Sequence, residues 1–167
     1  MDKYGNVISQ TQTIRNWWGS GVVIPGRGFI MNNAMADFSA KAGVRTTQGL
    51  AYGMANAIRP GKTPLSSMSP TIVMKEGKPV LSVGAAGGPR IITSTLQLII
   101  NNLDYGMMMD SAVKHPHMCC LTLNQGLELE EGFSPDTIKL LAAKGHIIKN
   151  TTDFGELLVM PNGIRNI

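Results

Sequence analysis

Cysteine is nearly absent: among 167 residues only Cys119 and Cys120 occur, side by side. Neighbouring cysteines rarely bond to each other because the ring they close is strained, so no disulfide framework is assigned and the redox compartment stays open. Charge is scarce as well, at 16% Asp, Glu, Lys and Arg. The 15 basic and 11 acidic residues leave a net +4, spread along the chain without a Lys/Arg block, which argues against a nucleic-acid partner. No apolar run approaches the roughly 20 residues that span a bilayer. The opening MDKYGNVISQTQT has no apolar segment of signal-peptide type. The chain therefore reads as soluble, without a membrane contact or an address of its own. What is present is 43% hydrophobic residues, 19 glycines and 11 methionines. That is the composition of a globular chain that buries a large share of itself, in its own core or against a partner.

Periodicity assigns an α+β class, strands first and helices interleaved later. In GNVISQTQTIRNWWGSG strict alternation turns Val7, Ser9, Thr11 and Thr13 one way and Ile8, Gln10, Gln12 and Ile14 the other, which predicts a strand. Its Ser/Thr face is odd for a core and natural for the floor of a polar site. VVIPGRGFIMNN predicts a strand, a Pro-Gly turn and a second short strand. Residues 39 to 64 show no periodicity, and a loop of that length is usually functional. TIVMKEGKPVLSVGAA predicts a hairpin about a Glu-Gly turn. GGPRIITSTLQLIINNLDYG predicts a helix with Pro89 at its first position, apolar residues at Ile92, Leu96, Ile99, Ile100 and Leu103, and Gly106 as its stop. MDSAVKHP predicts a short helix stopped by Pro116, and FSPDTIKLLAAKGH a helix capped by Ser134 with Pro135 leading. HIIK and ELLVMPNG read as late strands.

Two stretches carry the chemistry. RPGKTPLSSMSPTIVM sets Ser66 and Ser67 between prolines. Adjacent side chains in extended backbone point opposite ways, so one serine faces a ligand while the other ties down the loop, or both serve a turn. A hydroxyl pair without a base beside it is a poor nucleophile and a good carboxylate clamp. VGAAGGPRIIT runs two glycines into a helix start, where N–H groups lack partners and peptide dipoles place partial positive charge. Gly87 and Gly88 there make either an oxyanion cradle or only a tight strand-to-helix turn. Asp37, in NNAMADFS, is a capping or surface aspartate or else the anchor of a ligand ammonium. HPHMCC at 115 to 120 offers metal-ligand residue types in a spacing that fits no zinc pattern, and no metal is assigned. Trp17 and Trp18 read as packing residues.

Taken together, DKYGNVISQTQT, FIMNNAMADFS, RPGKTPLSSMSPTIV, GAAGGPRIIT, LDYGM and GFSPDTIKLLAAKGH resemble the small subunit of γ-glutamyltransferases (γ-glutamyltranspeptidases), which are N-terminal-nucleophile (Ntn) hydrolases. The motifs run in family order from Asp2 to about Lys149, and PLSSMSPT followed by a GxxGG helix start is highly specific. The resemblance implies that residues 1–167 form a single partial domain, the small-subunit half of a four-layer αββα sandwich that pairs with a large-subunit portion. It implies transfer or hydrolysis of γ-glutamyl groups, from glutathione-type donors to amino-acid, peptide or water acceptors, through an acyl-threonine intermediate and without a cofactor. By the same resemblance Ser66 and Ser67 bind the α-carboxylate of the γ-glutamyl group and Asp37 its α-ammonium. Gly87 and Gly88 supply the oxyanion hole, and Thr13 hydrogen-bonds the nucleophile and helps to activate it.

The departures are specific. The family nucleophile is an N-terminal threonine in a TTH-S stretch a few residues before the position of Asp2, whereas this chain begins at Met1, so the isolated chain is expected to show no turnover. Arg15 stands at a substrate-binding position where many members have asparagine, and Ala34 where they have glutamate or glutamine. Arg15 would bring positive charge towards the glutamyl ammonium and weaken its binding, unless its side chain turns away. Gln48 stands where some members have a lid tyrosine. Two further readings stand beside the first: a non-catalytic remnant or binding module of this family, and an Ntn amidase of cephalosporin-acylase type.

Overall fold

A computed structural model describes residues 2–41, 43–45, 50–122 and 126–149 and the backbone of 150 and 162–165. The chain divides into two compact units, Gln12–Ser66 and a second made of Met1–Thr11 with Ser67–Ile167. The mixture of helix and sheet is the α+β class expected from periodicity.

In the larger unit the Glu-Gly signal produces its hairpin. Strand β1 (Thr71–Lys75) pairs antiparallel with β2 (Lys78–Gly84), with a register shift between Val73 and Met74. Glu76 and Gly77 take φ values of 51° and 75°, the handedness a two-residue hairpin loop needs to match strand twist. On the other side of β2 lies β6 (Asn162–Arg165), also antiparallel, so β2 is central and buries Leu81 and Val83. Helix α1 (Ile91–Leu103) packs on β2, and α2 (Met109–Lys114) packs against α1 and β6. Leu98 and Ala112, both fully buried, close a core with Leu81 and Val83. Gly106 stops α1 as expected: at φ 67° it lets the Met107 N–H reach back to the Asn101 carbonyl at 2.9 Å.

The face of α1 that meets this core is not the one its bulky residues indicate. Ile91, Ser94, Thr95, Leu98 and Asn102 are buried, whereas Ile92, Leu96 and Leu103 remain 56%, 54% and 43% exposed. Apolar residues lie on two sides of this helix. The side carrying the small Ser94 and Thr95 allows the closer approach to the sheet, and the bulkier stripe lies outward.

A second sheet joins β3 (Met118–Cys119) antiparallel to β4 (Leu127–Leu129) and β4 parallel to β5 (Ile148–Asn150). Parallel neighbours need a crossover, supplied by α3 (Pro135–Ala143). Ser134 caps α3 by accepting the Thr137 N–H at 3.1 Å, and Pro135 occupies the first turn, as the sequence predicts. The predicted strand in ELLVMPNG lies outside the described residues at 156–161, as does Gln48.

The predicted strand at residues 7–14 is corrected: it pairs with no other strand among the described residues. Its alternation survives as burial, with Val7, Ser9 and Thr11 half-buried and Ile8, Gln10 and Gln12 exposed. A period of two requires only a surface on one side, whereas a strand also requires a neighbour for its N–H and C=O groups. The smaller unit has little regular structure. The Pro-Gly hairpin contracts to one bridge, Val23 with Ile30, and 3-10 turns form at Ala34–Asp37 and Met54–Asn56.

These burials predict that Leu98→Ala lowers stability by about 3 kcal/mol in urea unfolding, while Leu96→Ala changes it by less than about 1 kcal/mol. The reverse order would restore the bulky stripe as the core face.

Candidate functional site

In the unit Gln12–Ser66 the candidate groups gather around one carboxylate. Thr13 Oγ1 accepts the backbone N–H of Arg15 at 2.8 Å, a tight hydroxyl turn. Arg15 has φ 74°, a left-handed conformation uncommon for a residue with a long side chain. The turn aims the guanidinium at the 3-10 turn Ala34–Asp37, where all three of its nitrogens donate. Nε bonds Asp37 Oδ1 at 2.7 Å, Nη1 bonds Asn16 Oδ1 at 3.1 Å, and Nη2 bonds the Ala36 carbonyl at 3.2 Å. The pair is part-buried, with 19% of the Arg15 side chain and 33% of the Asp37 side chain exposed. Arg15 thus turns onto Asp37 rather than away from it.

Two further residues belong to this group and gave no signal in the sequence. Asn56 donates through Nδ2 to the Asp37 carbonyl at 2.7 Å and accepts the Leu65 N–H at 3.0 Å, which ties the chain just before Ser66 to the 3-10 turn. Asn56 lies in the aperiodic stretch 39–64, where only its paired donor and acceptor mark it out. Tyr52 has its phenol pKa pushed up, first by burial and then by the Asp37 charge, against an opposing effect of Arg15. It stays a neutral hydroxyl. Lys62, just upstream of the serines, donates to the carbonyls of Ala55 and Ala57.

In the larger unit the glycine pair forms a positive-φ turn between β2 and α1. Gly87 has φ 132° and Gly88 φ 60°, values that a side chain would oppose. They lead into a 3-10 turn, Gly88–Arg90, with Pro89 in its first positions, and α1 follows directly. Two contacts hold this turn. Ser67 Oγ donates to the Gly88 carbonyl at 2.7 Å, and the Arg90 guanidinium binds Glu128 on β4 at 2.9 Å. Of the serine pair, Ser67 is half-buried and ties down the loop, while Ser66 is exposed.

HPHMCC falls on the second sheet. His117 is buried and its N–H donates to Glu130 Oε2 at 2.8 Å, with Nδ1 at 3.5 Å from the same oxygen. Burial lowers the His117 pKa below its ordinary value, more than the Glu130 carboxylate raises it, and nearby His115 adds to the lowering. Burial likewise pushes the Cys119 thiol up, with Thr93 Oγ1 at 3.5 Å from its sulfur. Among the described residues no three His, Cys, Asp or Glu side chains gather as a metal site.

Comparison with known proteins places these elements in a family context. The family model described as Gamma-glutamyltranspeptidase matches residues 1–161. The chain is 46% identical over 166 residues to a glutathione hydrolase proenzyme of Escherichia coli, covering 98% of this chain and 29% of that protein. It is 39% identical over 145 residues to the Acylase ACY 1 proenzyme of a Pseudomonas species, covering 87% of this chain and 24% of that one. A crystal structure of Helicobacter pylori gamma-glutamyltranspeptidase superposes with a TM-score of 0.90 at 43% identity, covering 99% of this chain and 87% of that chain. The chain therefore spans under a third of the length of the two curated relatives.

The buried histidine gives a pH signature. Its folded pKa is lowered, so as pH falls through about 6.5 the unfolded chain takes up a proton that the folded chain refuses. Stability is then lost progressively down to the folded pKa. Urea midpoints measured from pH 8 down to pH 5 are expected to fall in the parent chain and to fall less in His117→Gln. Identical pH slopes in the two would remove His117 as the source.

Proposed function

The chain belongs to the γ-glutamyltranspeptidase family, and from that premise we propose that it is the small-subunit region of an enzyme that transfers or hydrolyses γ-glutamyl groups. In the intact enzyme the hydroxyl of an N-terminal threonine attacks the γ-carbonyl carbon, the C–N bond breaks, and the departing amine takes up a proton. Water or an acceptor amine then attacks the threonine ester and releases the acyl group. A large-subunit portion completes the enzyme. In support, the chain covers 87% of one chain in a solved structure yet 29% of a proenzyme.

The observation that carries this reading is the glycine turn. A carbonyl oxygen that gains negative charge needs fixed N–H donors, and a Gly-Gly turn at a helix start offers them without side chains in the way. Ser67 and Arg90 hold the turn from either side, so its donors need no reorganisation when the charge develops. Thr13 Oγ1 already accepts the Arg15 N–H, which leaves its own proton to donate to the nucleophilic oxygen. Ser66, exposed, binds the α-carboxylate, with Ser67 joining when its hydroxyl leaves Gly88. Asp37 receives the α-ammonium, and Arg15 adjoins it.

The protein expressed from its complete reading frame is expected to release p-nitroaniline from γ-glutamyl-p-nitroanilide, while the 167-residue chain alone does not. Thr13→Ala should slow the acylation phase by about a hundredfold. Absence of turnover together with retained glutamate binding would leave a binding module, and an unchanged acylation rate would remove Thr13 from the mechanism.

A further inference from the structure

The contact that the proposed reaction does not account for is the one between Arg15 and Asp37. We infer that Arg15 sets donor specificity by occupying the Asp37 carboxylate, so that the enzyme takes acyl groups without an α-ammonium, of the glutaryl type, at least as readily as γ-glutamyl groups. This deepens the function proposed above and rests on it.

The segment Gln12–Ser66 holds six Lys or Arg residues and a single acidic one, Asp37. Its one negative charge is matched at 2.7 Å by a guanidinium that is itself latched to Asn16 and Ala36. Ala34, on the same 3-10 turn, has no polar group with which to help. Tyr52 is held neutral and brings no second negative charge.

An arriving ammonium has two routes. It shares Asp37 with the guanidinium, and two cations then flank one carboxylate in a part-buried place, where like charges repel strongly. Alternatively it displaces Arg15, which breaks three hydrogen bonds and leaves a part-buried guanidinium unpaired. A donor with a carboxylate and a plain methylene in place of the ammonium-bearing carbon meets neither cost. The left-handed backbone of Arg15 is disfavoured for a residue with a Cβ and persists while the guanidinium makes all three contacts. Asparagine adopts that conformation far more readily, so Arg15→Asn removes the charge without threatening the turn.

The test compares kcat/KM for γ-glutamyl-p-nitroanilide and glutaryl-p-nitroanilide, using the protein expressed from its complete reading frame. The parent enzyme is expected to favour the glutaryl donor or to treat the two alike. Arg15→Asn and Arg15→Gln should raise the γ-glutamyl to glutaryl ratio by about tenfold, through a lower KM for the γ-glutamyl donor, and Arg15→Lys should hold it near the parent value. A purely structural role for Arg15 would lower turnover of both donors together and leave the ratio where it was. That result overturns the inference, as does a parent enzyme that favours the γ-glutamyl donor tenfold. Turnover of neither donor by the parent would sink the proposed function and this inference with it, whereas γ-glutamyl turnover with an unmoved ratio sinks the inference alone.

Discussion

The larger unit depends on the burial of Leu81 and Val83 of β2 beneath Leu98 of α1. Burying aliphatic side chains of this size is worth about 2 kcal/mol each. Because the strand and the helix are consecutive, that packing also decides where the chain between them runs. Six residues link Gly84 to Ile91. The backbone must reverse within them, and the reversal is made at Gly87 and Gly88, where positive φ carries no Cβ penalty. The glycine turn is thus a by-product of core packing, held by Ser67 on one side and the Arg90–Glu128 pair on the other.

The second sheet is tied to the same helix by polar contacts rather than by bulk. The Gln97 side-chain amide meets both backbone groups of Met118, accepting its N–H at 3.0 Å and donating to its carbonyl at 2.9 Å. This extends the ladder of a two-residue strand that would otherwise present an open edge. Glu130 serves His117 in the same way across the β3–β4 pair. Placed there, the metal-type residues of HPHMCC read as ties between strands: one histidine is committed to a carboxylate and one cysteine is sunk beside Thr93.

What the sequence made legible is what its neighbours decide. The Glu76–Gly77 turn, Gly106 after α1 and Ser134 with Pro135 at α3 are signals read within four residues, and each element forms where they put it, while Pro89 falls in the 3-10 turn Gly88–Arg90 and α1 begins two residues later at Ile91. The strand expected at 7–14 fails because pairing is a property of two segments, and alternation reports only one. The recurring apolar residues of α1 did not reveal its core face, because close approach to a sheet favours the small Ser94 and Thr95. At the candidate site, the family resemblance singled out Arg15 and Asp37 one by one. Their contact across 22 positions depends on a left-handed turn at Arg15 that no composition or periodicity announces. Asn56 escaped notice for the same reason, since both its partners are distant in sequence.

The unliganded groups are not idle, and this constrains how a ligand engages them. Asp37 is spent on Arg15 and the Ser67 hydroxyl on Gly88. A ligand that takes either must exchange one bond for another, so its net gain is the difference between two hydrogen bonds rather than the whole of one. For Ser67 the exchange is nearly even: a hydroxyl rotates at little cost, and a carboxylate is a stronger acceptor than a carbonyl. For Asp37 it is uneven, because the displaced partner is a cation with three bonds that has no second carboxylate within its own unit. On the function proposed above, the carboxylate end of an acyl donor would be bound at low cost and the ammonium end at high cost. That asymmetry would follow from the residue at position 15, while the glycine turn and the rest of the serine stretch stay as they are.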